Sequence, residues 1–324
     1  MQLSYYAYLF HQFLLAFNVT YNSSSIFEDR FHIFAQNMDF IEQYNAKQND
    51  ITLGITVFAD KTRGEFLASL NIFPFLGSDD AQEEDDDGEV CPMLVSTDND
   101  TLPTVLDWRQ QEVVTPIKDQ GSCGSCWAFA TVETVESRVG LDHGHGHGIP
   151  PPILAPQQLV DCSTENYGCS GGSIDSAMRY LSTNGVVQET EYSYVANDEG
   201  QCRFVPGTNR TLYKPGPCFR VTSQNEKIMK QAVVQQGPLT VTIDASAEIF
   251  QFYTGGIIYP SECDTELNHA VQLVGYNDSY WIVRNSWGEL WGEKGYFRVA
   301  RGEGEDDPGT CGIAMGVWGF SSSL

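Results

Sequence analysis

Two cysteines, Cys123 and Cys126, lie three positions apart in the stretch QGSCGSCWAFATVE (residues 120–133) of this 324-residue chain. Such a pair can cycle between dithiol and disulfide, as in thiol–disulfide oxidoreductases, or one thiol can serve as a nucleophile. A nucleophilic cysteine works as its thiolate, and a helix N-terminus facing a histidine stabilises that charge. Cys126 opens an apolar, Ala/Val-rich segment that predicts a helix to Gly140, whereas Cys123 lies before it. A base stands far downstream in LNHAVQLVGY, where His269 enters an apolar run; a histidine there also fits a satisfied core position. Asn285 ends another apolar run in WIVRNSWGELWGEKGYFRV, with Trp287 beside it. A carboxamide suits the orientation of an imidazolium and an indole can shield that bond from water, although Asn285 alone also reads as a turn residue. Spacing by itself leaves redox and nucleophilic chemistry both open.

The elements that must position these groups fall on two sides of an acidic run, GSDDAQEEDDDGEV (77–90), whose like charges cannot be buried together. Upstream, Phe27, Phe31, Phe34, Met38 and Ile41 recur at helical spacing and predict a long amphipathic helix, preceded by a second helix from Tyr5 to Phe17. Downstream of Thr101, one apolar helix is followed by strand-like runs, LTVTID, AVQLVGY, YWIVRN and YFRVA, an order that predicts an α+β domain. The expected organisation is therefore a helical unit at 1–76, an acidic linker at 77–101 and a larger domain at 102–324.

With 18 Lys and Arg against 43 Asp and Glu, the net charge of −25 disfavours nucleic acids and anionic membranes as partners. No apolar stretch is long enough to span a bilayer. Nine cysteines and sequons at Asn18, Asn22, Asn99, Asn209 and Asn277 fit an oxidising, secretory-route compartment. The apolar start MQLSYYAYLFHQFLLAF lacks a basic n-region and carries His11 and Gln12 within it, so a signal peptide is not clearly present.

Taken together, QGSCGSCWAF, GCSGG, NHAV and RNSWGELWGEKGY, in this order and at these separations, resemble the papain-like cysteine peptidases, and within them the cathepsin L-like branch. The resemblance runs over nearly all of Leu102 to Leu324. It extends upstream, where Arg30, Phe34, Asn37, Ile41 and Asn45, then GITVFAD (54–60), are similar to the two signatures of the family's inhibitory prodomain. Ile26 stands where that motif expects Glu, and Thr56 where it expects Asn.

The resemblance implies an α+β, two-lobed papain-like fold, a helical lobe plus a β-barrel-like lobe, behind an α-helical prodomain. It implies Cys126 as nucleophile, His269 as proton carrier, Asn285 as the residue orienting it, and Gln120 as an oxyanion donor. It implies disulfides Cys123–Cys169, Cys162–Cys202 and Cys263–Cys311, leaving Cys126 free and setting the redox reading aside. Gly171 and Gly172 would pair with an extended substrate backbone. Ile174, Thr242, Ala270 and Gly316 fall at or near the pocket for the P2 side chain, with Asn268 and Trp287 also at the substrate cleft. None of the pocket residues is charged, which implies an apolar P2 preference, and no long insertion lies between Asp161 and Gly172, which implies endopeptidase action.

The expected partners are peptide and protein substrates and the chain's own prodomain, with the enzyme a monomer that needs no cofactor. The workplace would be a lysosome-like or digestive vacuole, or the outside of the cell. Acid would weaken carboxylate pairs holding the prodomain at around pH 4 to 5, with a cut between Gly77 and Leu102 and a mature chain beginning near Leu102. A catalytically silent binding or inhibitor protein on the same fold is the alternative, against which the full set Gln120, Cys126, His269 and Asn285 argues.

Two features stay outside this assignment. Cys91 and Cys218 are left over; a bridge between them would tether the prodomain, while an unpaired Cys218 would serve as a small core hydrophobe. The segment LDHGHGHGIPPPILAP places His143, His145 and His147 at alternate positions, where an extended backbone would present them together to a metal ion. A flexible Gly/His loop is the expectation there, with no metal.

Overall fold

The computed structural model describes residues 2–47, 50–70, 91–94, 102–144, 150–207, 210–302 and 304–322. His145 and His147 lie outside the described residues, as does the acidic run itself. No helix among the described residues is long and apolar enough to cross a membrane.

The N-terminal unit is a helix pair. Helix α1 (Gln2–Ala16) buries Tyr6, Phe10 and Phe13, one residue per turn, against Phe34, Ala35, Met38 and Ile41 of α2 (Ser24–Asn45). Phe10 is the hub, its ring within 5.1 to 5.5 Å of Phe34, Phe27 and Phe31. The long helix begins where Ser23 accepts a bond from the Ile26 N–H, which satisfies one of the donors at a free helix end. A two-residue strand, β1 (Thr52–Leu53), and a short helix, α3 (Arg63–Leu67), follow. Thr62 and Glu65 form a reciprocal capping box on α3.

The larger domain begins with β2 (Leu106–Asp107) and then builds a helical lobe. Its centre is α4 (Cys126–Asp142), buried at every position from Cys126 to Ser137, flanked by α5 (Pro156–Cys162) and α6 (Ile174–Asn184). A helix buried on all sides needs cover on every face, and here strands of the second lobe cover the face that α5 and α6 leave. That lobe contains β3 (Cys218–Arg220), α7 (Glu226–Gln236), β4 (Leu239–Ile243), α8 (Glu248–Phe252), β5 (Tyr253–Gly255) and β6 (Ile257–Ile258). It ends with β7 (His269–Tyr276), β8 (Tyr280–Arg284), β9 (Tyr296–Ala300) and β10 (Val317–Phe320). The four runs predicted as strands are β4, β7, β8 and β9.

The sheet runs in the order β3-β10-β4-β7-β8-β9-β6, antiparallel except for β6 against β9, with β2 added on β7. The row is open, with β3 and β6 as its two ends, so the expected barrel-like lobe is an open sheet and not a closed barrel. Strand β7 is buried along its whole length because α4 covers it and β4 and β8 flank it.

Buried charges join the lobes. Glu136 of α4 accepts from Lys118 Nζ at 2.5 Å, from the Leu154 N–H at 2.6 Å and from the Thr115 hydroxyl. Arg284 of β8 is fully buried and reaches Glu133 at 3.2 Å, the Pro116 carbonyl at 2.5 Å and Gln272 at 3.3 Å. Burial pushes the Glu133 carboxyl up, against the pull of Arg284. Four disulfides complete the scaffold: Cys91–Cys218, Cys123–Cys169, Cys162–Cys202 and Cys263–Cys311.

Candidate active site

With Cys123 bonded to Cys169, Cys126 is the free cysteine among the described residues. It is the first residue of α4, and the preceding Ser125 makes no side-chain cap, so the amides of that turn are not taken up by the hydroxyl of Ser125. Backbone N–H groups of Ala270, Trp127 and Cys126 itself point at the thiol and favour its charged form. The Ala270 contact places the thiol at the head of β7, the strand that His269 opens. Burial outweighs these donors and pushes the Cys126 thiol up to about 11.

His269 is fully buried at the start of β7. Its Nε2 lies 2.8 Å from Asn285 Oδ1, and the same oxygen accepts the Ser286 N–H at 2.8 Å. An oxygen engaged as acceptor twice requires that Nε2 carry a proton. In the neutral ring Nδ1 is then left as the base. That atom is buried and has no hydrogen-bond partner. The indole of Trp287 stacks on the imidazole at a centroid distance of 4.7 Å and keeps water from the His269–Asn285 bond. Burial holds the imidazole down at about 4.

Gln120 is also buried, and its amide is locked at both ends: Oε1 accepts from Ser286 Oγ at 2.6 Å and Nε2 donates to the Cys123 carbonyl at 2.9 Å. The amide nitrogen has a second proton to offer. Tyr194 braces the same loop, donating to the Gln120 carbonyl at 2.8 Å and lying 2.7 Å from the Ser125 hydroxyl. Sequence reasoning missed Ser286 and Tyr194. The first stands next to Asn285 in the RNSW string, where adjacency was a usable signal; the second is distant in sequence and gave none.

The expected pocket residues come together unequally. Thr242 pairs with Ala270 across β4 and β7, its N–H donates to the Gly316 carbonyl at 3.0 Å, and Ile174 shares a buried cluster with Ala270 and Cys126. Gly171 has a φ of +118°, and a Cβ on Gly172 would stand 2.7 Å from the Trp127 ring, so both positions favour glycine. Asn268 differs: its side chain is committed to Asp244 at 2.8 Å, the Glu266 carbonyl at 2.9 Å and the Ala245 N–H at 2.9 Å, which ties the end of β4 to the start of β7.

The N-terminal unit sits on this site. Strand β1 adds antiparallel to β5, and the Gly54 N–H donates to the Phe252 carbonyl at 2.8 Å. Phe58 and Phe66 pack edge-on against Trp287 at 5.1 and 5.6 Å. Gln251 donates to the carbonyls of Phe58 at 3.1 Å and Lys61 at 2.8 Å. Thr56 is fully buried and its hydroxyl donates to the Gln251 carbonyl at 2.6 Å, so this departure from the prodomain pattern is itself an anchor. Ile26, the other departure, is 45 % exposed on α2. Arg30 makes a two-pronged pair with Glu65, both bonds at 2.7 Å, which holds α2 to α3.

Among the described residues no group of His, Cys, Asp and Glu is arranged to hold a metal ion, and His143 bonds the Val139 carbonyl through Nδ1 at 2.9 Å.

Residues 102–319 match the family described as Papain family cysteine protease, and residues 10–66 match the Cathepsin propeptide inhibitor domain (I29). The chain is 38 % identical over 299 residues to Cysteine endopeptidase RepA of Oryza sativa subsp. japonica, covering 88 % of this chain and 75 % of that one. It is 37 % identical over 315 residues to Chymopapain of Carica papaya, covering 94 % and 84 %. Among solved structures, digestive procathepsin L 3 from the larval midgut of Tenebrio molitor superposes with a TM-score of 0.82 at 33 % identity, covering 98 % of this chain and 99 % of that one.

Proposed function

The chain belongs to the papain family of cysteine proteases and carries the family's propeptide inhibitor domain, and from that premise we propose that it is an endopeptidase zymogen whose chemistry is carried by Cys126, His269, Asn285 and Gln120. The observation that carries this reading is the locked tautomer: Asn285 fixes the Nε2 proton, so the unpartnered Nδ1 is the atom that can take the thiol proton. The Cys126 sulfur attacks the scissile carbonyl carbon while its proton resides on His269. Gln120 Nε2 and the Cys126 N–H bind the oxyanion. The C–N bond then breaks, His269 protonates the leaving amine, and a thioester remains. Water, deprotonated by His269, attacks that thioester and releases the acid and the thiol.

While the prodomain is seated, burial favours the neutral thiol and the neutral imidazole, the opposite of an active ion pair. Removal of Phe58 and Phe66 from Trp287 rehydrates the site and lets the pair charge. The substrate lies extended along Gly171 and Gly172 as an added strand. An uncharged pocket of Ile174, Thr242, Ala270 and Gly316 favours an apolar P2 side chain over Arg. Four disulfides suit secretion or an acidic vacuole of lysosomal type.

The test is labelling by a thiol-directed epoxide at acid pH followed by peptide mapping, with Cys126→Ser beside the wild type. The adduct is expected on Cys126, and peptide hydrolysis in Cys126→Ser is expected to fall by on the order of 10⁴-fold or more with the fold intact. Equal hydrolysis by the two proteins would sink the mechanism.

A further inference from the structure

Residues 91–94 belong structurally to the peptidase domain. The Leu94 N–H donates to the Arg220 carbonyl at 2.7 Å, and the Arg220 N–H donates to the Pro92 carbonyl at 3.0 Å. Met93 pairs with Arg220 as a parallel bridge. These four residues thus add one parallel bridge to β3, the end strand of the row. Pro92 lacks a donor, but its carbonyl is the group the edge uses, so proline is tolerated there. Cys91 is 1 % exposed and Cys218 3 %, and both lie in one buried cluster with Trp318 and Phe320 of β10. Leu94 packs against the larger buried cluster, which holds residues of both the N-terminal unit and the peptidase domain. The disulfide between Cys91 and Cys218 closes the arrangement across 127 positions.

From this we propose that Cys91–Leu94 stays with the mature enzyme as a disulfide-locked edge strand, so that a cut on the N-terminal side of Cys91 is required to free the prodomain. The inference rests on the zymogen reading above. A cut anywhere between Leu94 and Leu102 would break the backbone yet leave the upstream chain bonded through Cys91 to Cys218. The expectation of a mature chain beginning near Leu102 then describes a product that still carries its prodomain. A sheet edge left bare by loss of the strand would also expose the unpaired N–H and C=O groups of β3.

Two full-length Cys126→Ser variants decide the matter, each given the recognition sequence of a sequence-specific protease, one within 95–101 and one within 77–90. On denaturing gels without reductant, the first is expected to stay a single species after cutting and to separate into two only on reduction. The second is expected to separate in both conditions. Adding Cys91→Ala to the first is expected to give separation without reductant. Two fragments without reductant after the 95–101 cut, or alkylation of Cys218 in the unreduced denatured protein, would overturn the proposal. The intact mass of acid-matured wild type gives a second reading: a start upstream of Cys91 supports it, and a start near Leu102 with a free Cys218 thiol overturns it. Absence of any maturation would count against the zymogen reading, while the cut variants still decide the tether.

Discussion

The N-terminal part of this chain adds a strand to the peptidase domain twice, by the same backbone device and with opposite consequences. Thr52–Leu53 pairs with β5 beside the active site, while Cys91–Leu94 pairs with β3 at the end of the large sheet. The first contact is held by hydrogen bonds, the Phe58–Phe66–Trp287 rings and the Gln251 amide, all of which exchange readily with water once the unit lifts. The second contains a covalent bond buried in the core. Strand addition supplies geometry in both places; permanence comes from what is added to it. An inhibitor needs the reversible form, and an edge that must stay covered needs the other.

Removing the lock has the largest expected effect. Cys91→Ala with Cys218→Ala is expected to cost about 2–5 kcal/mol of peptidase stability, since the bridge closes a long loop of the unfolded chain. A lower melting temperature of the processed enzyme, with unchanged epoxide labelling rate at Cys126, is the expected pair of results. Equal melting temperatures would show that the second contact is no firmer than the first.

The next effect falls on the reversible contact alone. Phe58→Ala removes a buried ring from the Trp287 cluster and is expected to weaken prodomain seating by about 3 kcal/mol, roughly a hundredfold in the open population. The full-length zymogen at neutral pH should then be labelled by the epoxide about a hundred times faster, with the melting of the peptidase domain unmoved. Unchanged labelling would mean that Phe58 fills space without holding the unit down.

Much of this architecture was legible because its signals are local. The thiol, the base and its carboxamide each sit in a short string with its own flanking pattern, and the apolar runs that carry them match α4, β7 and β8 closely. The long helix was legible from its phenylalanine spacing, and α1 began three residues earlier than expected because Gln2 bonds Tyr6 and Asp39 there. What was not legible depends on meetings between distant segments. The Cys91–Cys218 bridge could be read only as one of two alternatives, since nothing in the neighbours of Cys91 announces β3, 127 positions away. The resemblance implies Asn268 at the cleft, and only the fold shows its amide bonded to Asp244. The open sheet could not be told from a barrel, because strand strings carry no information on whether the end strands meet.

The smallest effect concerns acid and the reversible contact. The Arg30 guanidinium, bonded to Glu65 by two prongs, holds that carboxyl down at about 2, against an ordinary value of 4.5. A depressed carboxyl contributes stability that is present above its ordinary value and fades only as pH falls toward the folded one. The pair is partly exposed, so its worth is about 0.5 kcal/mol after solvent screening. Glu65→Gln, which keeps the capping partner of Thr62, should therefore lower the melting of the prodomain in a Cys126→Ser zymogen by a nearly constant amount from pH 7 to about pH 5, with the two proteins converging between about 4.5 and 2. Convergence already above pH 5 would make this pair the acid trigger. The expected result excludes this pair as an acid trigger. The reversible contact then loses only this small ion-pair contribution in acid, while the disulfide-locked segment has no titrating bond to lose.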